Sequence, residues 1–349
     1  LEVAADLDVA EVLAGCRVVA LGTVTAEPEF KLQGQSLSLA QAQTVWEAPL
    51  EKVFPTKASI PAGKPGGALG VAKERRSGSL RLAKPRVLIP VFPGSNCEYD
   101  TARAFEKAGA VAQTLVIRNL TPAAVEESVQ AFAEALKQAN ILMLPGGFSA
   151  GDEPDGSGKF IATMLRNPRL SEGVMELLQQ RDGLALGICN GFQALIKLGL
   201  LPFGEIRPLD ASCPTLTFNS LGRHISCLAR TRVTNNRSPW LALTESGDEH
   251  VVAMSHGEGR FFASPQWLTT LHAAGQVATQ YVDLAGQPTH ELPHNPNGSL
   301  DAIEGITSPD GRVLGKMGHS ERIGTQVFKN VPGAKEQRIF EAGVAYFTK

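Results

Sequence analysis

The sequence has little of what would mark several large classes of protein. Only five of its 349 residues are cysteine: Cys16, Cys97, Cys189, Cys213 and Cys227. Thiols so few, so scattered and odd in number exclude a disulfide scaffold and point to a reducing compartment, the cytoplasm. No apolar run approaches the ~20 residues needed to cross a bilayer, and no signal-peptide pattern opens the chain, so no membrane partner is expected. Neither sign of charge dominates, with 33 basic against 35 acidic side chains and a formal charge of −2. That balance excludes a strongly basic nucleic-acid binder and an acidic disordered tail. An initial Met is also lacking. The chain opens on Leu1, and the expectation is a piece of something longer.

What is present is an ordinary globular mixture, 43% hydrophobic and 19% charged, in a chain long enough for about two domains. Composition breaks sharply over residues 56–85, a stretch rich in Gly, Pro, Ser and basic residues with no apolar period, expected to be a flexible linker. Its cluster Lys73, Arg75 and Arg76 reads as solvated linker rather than a binding patch. Ahead of it, residues 1–55 suggest a small α+β segment. Val18–Leu21 looks like a strand, Phe30–Leu32 and Leu37–Leu39 flank a Gln33-Gly34 turn, and a helix runs from Ser38 until Pro49 stops it.

From residue 86 onward, strands alternate with helices. Val87–Val91, Val111–Ile117, Ile141–Leu144 and Leu184–Ile188 form strands that are largely apolar on both faces. Helices fall at Thr101–Ala108, after Thr121-Pro122, near Phe160–Leu165, near Gly173–Gln180 and from about Asn190. This pattern is that of an α/β fold, a parallel sheet flanked by helices. From about Ser212 the signals become short, antiparallel strands.

The strongest motif is Gly187-Ile188-Cys189-Asn190-Gly191, between a buried strand and a helix. It has the form of a nucleophile elbow with Cys for Ser. The glycines permit the tight turn, and the helix N-terminus favours a thiolate at Cys189. A nucleophilic Cys needs a base with an orienting partner. Two His-x-Glu pairs qualify, His256/Glu258 and His319/Glu321. His319 is favoured because it follows the strand-like Val313–Met317, whose end should reach the same sheet edge as Cys189. His256 stands as the alternative base, or as a supporting residue. Gly146-Gly147, at the end of the third strand, is the natural place for an oxyanion hole shared with the Asn190 N–H. Cys97 and the other three cysteines show no comparable setting.

Three patterns mislead. His290-Glu291-Leu292-Pro293-His294 fits H-E-x-x-H, but Pro293 forbids the helix that a zinc site needs, and no metal is expected. Gly156-Ser157-Gly158-Lys159 resembles the end of a phosphate loop, but Glu153 and Phe160 stand where Gly and Ser/Thr are required. Asn297-Gly298-Ser299 is a glycosylation sequon without meaning in a cytosolic chain.

Six ordered phrases, PVFPGSNCEYDT (90–101), LPGGFSAGDE (144–153), LGICNGFQAL (186–195), SHGEGRF (255–261), NPNGS (295–299) and GKMGHSERIG (315–324), resemble the class I glutamine amidotransferase domain of the phosphoribosylformylglycinamidine synthases. The resemblance covers 86–349 and implies a flavodoxin-like fold. LGTVTAEPEF (21–30) and WEAPLEKVFPT (46–56) look like the end of the synthetase part of the large, single-chain type. The family mechanism then implies that Cys189 attacks the glutamine amide, His319 moves protons, Glu321 orients His319, and the Gly147 and Asn190 N–H groups hold the oxyanion. It further implies that Gly146 and Gln193 contact glutamine. No cofactor is implied for this chain, and ATP and Mg belong to the synthetase portion, the implied partner. Gly318 and Ser320 depart from the prolines that many small-subunit relatives carry. Other cysteine-elbow hydrolases would lack the C-terminal His319/Glu321 pair, and an amidotransferase-like module without activity would not need all three residues.

Overall fold

The computed structural model describes residues 2–71, 76–151 and 157–348. The chain divides into two compact units, Leu1–Thr56 and Lys57–Lys349.

In the first unit, Asp8 caps the short helix α1 (Val9–Val12) by accepting from two backbone N–H groups. Strands β1 (Glu29–Leu32) and β2 (Gln35–Ser38) form the expected hairpin. Helix α2 (Leu39–Glu47) starts at a capping box made by Ser38 and Gln41. Val18–Leu21 is not a strand. It has no partner strand to satisfy its backbone, and β-branched residues alone do not make a ladder. None of the unit's described residues is buried, so it lacks an apolar core of its own.

The second unit is built on one nine-stranded sheet. Its strands are β3 (Arg86–Val91), β4 (Val111–Val116), β5 (Ile141–Leu144), β6 (Leu184–Ile188), β8 (Ile225–Val233), β9 (Glu249–His256), β11 (Val277–Tyr281), β12 (Ile303–Thr307) and β13 (Val313–Lys316). The order is β4-β3-β5-β6-β13-β12-β11-β8-β9. Strands β4 to β13 in that order run parallel, and the remaining pairs are antiparallel. The parallel half has the doubly wound order 2-1-3-4-5, which places a ligand crevice at the carboxyl ends of its strands. A separate ribbon pairs β7 (Thr215–Phe218) with β10 (Glu258–Phe262).

Helices α3 (Glu98–Lys107), α4 (Pro122–Gln138), α5 (Lys159–Leu165), α6 (Pro168–Gln179) and α7 (Asn190–Leu198) connect the parallel strands, followed by α8 (Leu200–Phe203). Thr121 caps α4 through the Ala124 N–H at 3.1 Å, a contact worth about 1 kcal/mol, and Pro122 sits where no N–H is needed. Helices α9 (Pro265–Ala273) and α10 (Ile339–Thr348) complete the unit. Both escaped sequence analysis because their surroundings read as short strands and turns. The core is continuous from Val87 to Phe347 and includes Leu186, Phe192 and Trp240.

The stretch expected as a flexible linker forms no helix or strand among its described residues, yet it is not a free tether. Gly70 bridges to Asn235, the Gly78 and Leu82 N–H groups donate to Tyr346 and Phe347, and the Ser79 N–H donates to Asp182. Backbone groups here bond to the unit's surface, so low apolar content did not mean low order. Arg76 pairs with Asp182 at 3.2 Å; Lys73 and Arg75 lie outside the described residues. No described helix is long and apolar enough to cross a membrane.

Candidate active site

Cys189 follows β6 and caps α7 with φ 52° and ψ −107°, a left-handed conformation for a non-glycine residue. Such strain costs about 1–3 kcal/mol and persists only where neighbours fix it. Here they do. The Cys189 N–H donates to the Lys316 carbonyl at 2.8 Å, and a Cβ on Gly191 would overlap the Leu144 carbonyl. A Cβ on Gly187 would stand 2.7 Å from Gly191, so the two flanking glycines make the turn possible. The Cys189 thiol is 4% exposed and donates to the Ser255 carbonyl at 3.7 Å.

The parallel register Ile188↔Lys316 brings the end of β13 beside Cys189. Three residues on, the His319 N–H donates to the Ala253 carbonyl at 2.7 Å. Its Nδ1 lies 2.6 Å from Glu321 Oε1, with both side chains at most 1% exposed. Nε2 is buried without a protein partner, and it is the nitrogen left for a thiol. Burial alone would lower the imidazole pKa. The Glu321 carboxylate, and then Cys189, overcome burial and raise it well above the usual value. Burial likewise opposes the Glu321 carboxylate, but His319 wins and its pKa is lowered. The pair therefore favours imidazolium against carboxylate.

Gly146 and Gly147 end β5 beside this pair. A Cβ on Gly146 would sit 2.7 Å from His319 Cε1, so glycine there makes room for the imidazole. Gly147 has φ 145°, and a Cβ would press on the Gly94 carbonyl at 2.6 Å. The loop Pro93–Asn96 packs on this turn through the Ser95↔Gly147 bridge, with Phe148 N–H donating to Gly94 O at 2.8 Å. Among the described residues no acceptor faces the N–H of Gly147 or of Asn190. Both donors are free for a developing oxyanion.

The other expected residues are close but otherwise employed. Gln193 is 3% exposed, donates to the Glu258 carbonyl and accepts from Asn190 Nδ2 at 2.9 Å, so its amide braces the site from within. The Glu258 carboxylate accepts the Ser157 N–H at 2.9 Å. His256 Nδ1 faces Asn219 Oδ1 at 3.1 Å, and Asn219 Nδ2 donates to the Arg223 and His256 carbonyls. Burial, then His319 and His224, push the His256 pKa down to about 3. His256 is therefore neutral, with Nδ1 turned to the Asn219 side chain.

The expectation for Cys97 is corrected. It is the N-cap residue of α3 and 1% exposed, with Sγ 3.8 Å from His319 Nδ1, accepting from Arg322 at 3.1 Å. The strand-turn-helix setting of PGSNCE is the signal that could have found it. Arg322 was missed because an Arg beside His-Ser-Glu carries no pattern of its own. Ligand atoms of Cys97, His319 and Glu321 lie within 4.8 Å of one another. The 2.6 Å separation is that of a hydrogen bond, and the Arg322 guanidinium stands beside the sulfur, so the group is built as a hydrogen-bonded cluster. His290–His294 forms no helix, as Pro293 dictates. Gly156 and Glu153 lie outside the described residues, and Lys159 opens α5.

Residues 84–347 match the model of the CobB/CobQ-like glutamine amidotransferase domain. The chain belongs to this family. It is 33% identical over 266 residues to phosphoribosylformylglycinamidine synthase subunit PurQ of Chlorobaculum parvum, covering 76% of this chain and 91% of that protein. The same subunit of Rubrobacter xylanophilus is 34% identical over 262 residues, 74% of this chain and 98% of the relative. Among solved structures, that of PurLQS from Thermotoga maritima superposes with a TM-score of 0.54 at 27% identity, covering 75% of this chain and 99% of that one. The fold is that of a class I glutamine amidotransferase. Neighbouring Cys189, His319 and Glu321 sit in the matched region.

Proposed function

We propose that this chain is the glutaminase part of a phosphoribosylformylglycinamidine synthase. The observation that carries the reading is the register Ile188↔Lys316, which sets the strained Cys189 beside a buried His319–Glu321 pair. Cys189 passes its thiol proton to His319 and its Sγ attacks the side-chain carbonyl carbon of glutamine, while the Gly147 and Asn190 N–H groups hold the oxyanion. His319 delivers a proton to the departing ammonia, leaving a γ-glutamyl thioester. It then takes a proton from water, which cleaves the thioester to glutamate and restores the thiol. Glu321 holds the imidazole by Nδ1 and stabilises its charge.

The ammonia goes to a synthetase partner that consumes ATP with Mg and amidinates formylglycinamide ribonucleotide, a step in purine biosynthesis. This chain supplies no cofactor to it. The finer reading is that residues 1–55 close the synthetase part of a large single-chain enzyme. Phrases 21–30 and 46–56 support it, as does a separate unit without buried side chains of its own. Five free cysteines fit a cytoplasmic setting. The test is ammonia release from glutamine by this chain, and its transfer to formylglycinamide ribonucleotide once the synthetase portion and ATP are supplied.

A further inference from the structure

We propose that the buried Lys316–Glu304 ion pair is a positioning device that holds the nucleophile and the imidazole in register. Lys316 Nζ and Glu304 Oε1 lie 3.1 Å apart, with side chains 1% and 0% exposed. An ion pair so deep needs a reason, because matched apolar side chains would stabilise a core as well or better. Its hydrogen bonds supply one. Lys316 Nζ donates to the Gly318 carbonyl at 2.7 Å, and the Gly318 N–H donates to Glu304 Oε1 at 2.6 Å. Both backbone polar groups of Gly318, the residue just before His319, are therefore held by the pair. The same two residues also act through their backbones. The Lys316 carbonyl accepts the Cys189 N–H at 2.8 Å, and the Glu304 carbonyl accepts the Met317 N–H at 3.1 Å. Thr279 Oγ1 donates to Glu304 Oε2 and fixes the carboxylate on β12.

The chain from Lys316 to His319 is thus clamped at each residue, with Cys189 bonded to its first member and the imidazole carried by its last. Gly318 is required by this arrangement. A Cβ there would meet Val252 Cγ2 at 2.6 Å, Glu304 Oε1 at 2.9 Å and Lys316 Nζ at 3.1 Å. Neither charged group is a catalytic residue. Each acts through the backbone of Gly318, and misplacing a reacting group by about 1 Å costs roughly 100-fold in rate. The inference rests on the triad reading above.

The test compares the full chain with the double variant Lys316→Met/Glu304→Leu, which removes both charges together, and with Thr279→Val, which removes only the carboxylate's side anchor. The first readout is the pH profile of Cys189 alkylation by iodoacetamide, located by peptide mass mapping. The second is kcat and KM for glutamine, with the synthetase portion present. The expected result is a folded double variant whose Cys189 alkylation profile is displaced and whose kcat falls about 10–100-fold at a KM within a few-fold. Thr279→Val should shift both readouts in the same direction by less. An unaltered alkylation profile and kcat in the double variant would overturn the proposal; if it fails to fold, an unaltered Thr279→Val would do so. Wild-type chain in which Cys189 shows no alkylation step and no glutamine is consumed would instead overturn the triad reading.

Discussion

His319 Nδ1 and Glu321 Oε1 are 2.6 Å apart, and neither side chain is more than 1% exposed. This contact fixes which imidazole nitrogen remains for Cys189. Glu321→Gln keeps the shape and removes the charge that raises the imidazole pKa. The expected outcome is a loss of about 10²–10⁴-fold in kcat/KM, with a melting temperature close to wild type. His319→Ala should lose at least ~10³-fold. His256→Ala should lose much less, since His256 is held neutral by burial and bonded to Asn219. Steady-state kinetics of the three variants decides the ranking.

The same raised pKa has a consequence for stability. A group whose folded pKa lies above its unfolded value of 6.5 contributes stability that is full below 6.5 and lost as pH climbs through the folded value. Denaturant unfolding should therefore weaken across the neutral-to-alkaline range, and His319→Gln should flatten that fall. A slope identical in the variant would show that the imidazole carries no such linkage.

His256 gives the opposite sign. Its folded value of about 3 lies below the unfolded 6.5, so its contribution is present above pH 6.5 and lost as pH falls toward 3. His256→Asn should show a shallower loss of stability than wild type across that window, measured by unfolding at each pH.

The resemblance implies that Gly146 contacts glutamine, and its absent Cβ also makes room for His319. Gly146→Ala brings a carbon 2.7 Å from His319 Cε1 and 3.1 Å from Cys97 Sγ. The variant should fold and lose roughly 100-fold in kcat. Kinetics beside thermal melting separates this from a general loss of structure.

Much of this was legible in the sequence. The apolar runs at Val87–Val91 and Leu184–Ile188 can only be buried strands, and Gly187 with Gly191 encode the Cys189 turn in local chemistry. His319 was also within reach, because a strand ending near Lys316 had to leave it at the sheet edge. Contacts that depend on packing between distant segments were not legible. Cys97 meets His319 and Arg322 only because the fold brings together segments 222 and 225 residues apart. The Lys316–Glu304 pair is invisible in a window where Lys and Glu read as solvated. The bonds that Gln193 makes through both ends of its amide, to Asn190 and to the Glu258 carbonyl, were likewise not legible.

Glutamine hydrolysis should be slow in this chain alone and rise when the synthetase portion, formylglycinamide ribonucleotide and ATP are added. Rotation of the Gly146–Gly147 peptide, which carries the free Gly147 N–H, would assemble or dismantle the oxyanion hole. Ammonia release with and without those additions measures the coupling. A rate indifferent to them would contradict it and leave the triad untouched.

The central claim is that Cys189 is the nucleophile, and a glutamine-analogue electrophile tests it most directly. Cys97 is the demanding control, since its sulfur also lies near His319, at 3.8 Å from Nδ1. Only Cys189 stands at a strained elbow with free N–H donors beside it, whereas Cys97 Sγ is bonded to Arg322 and Asn96. Peptide mass mapping after treatment should find the adduct on Cys189 alone, and glutamine should slow its formation. Label on Cys97, or spread evenly over the five cysteines, would contradict the account.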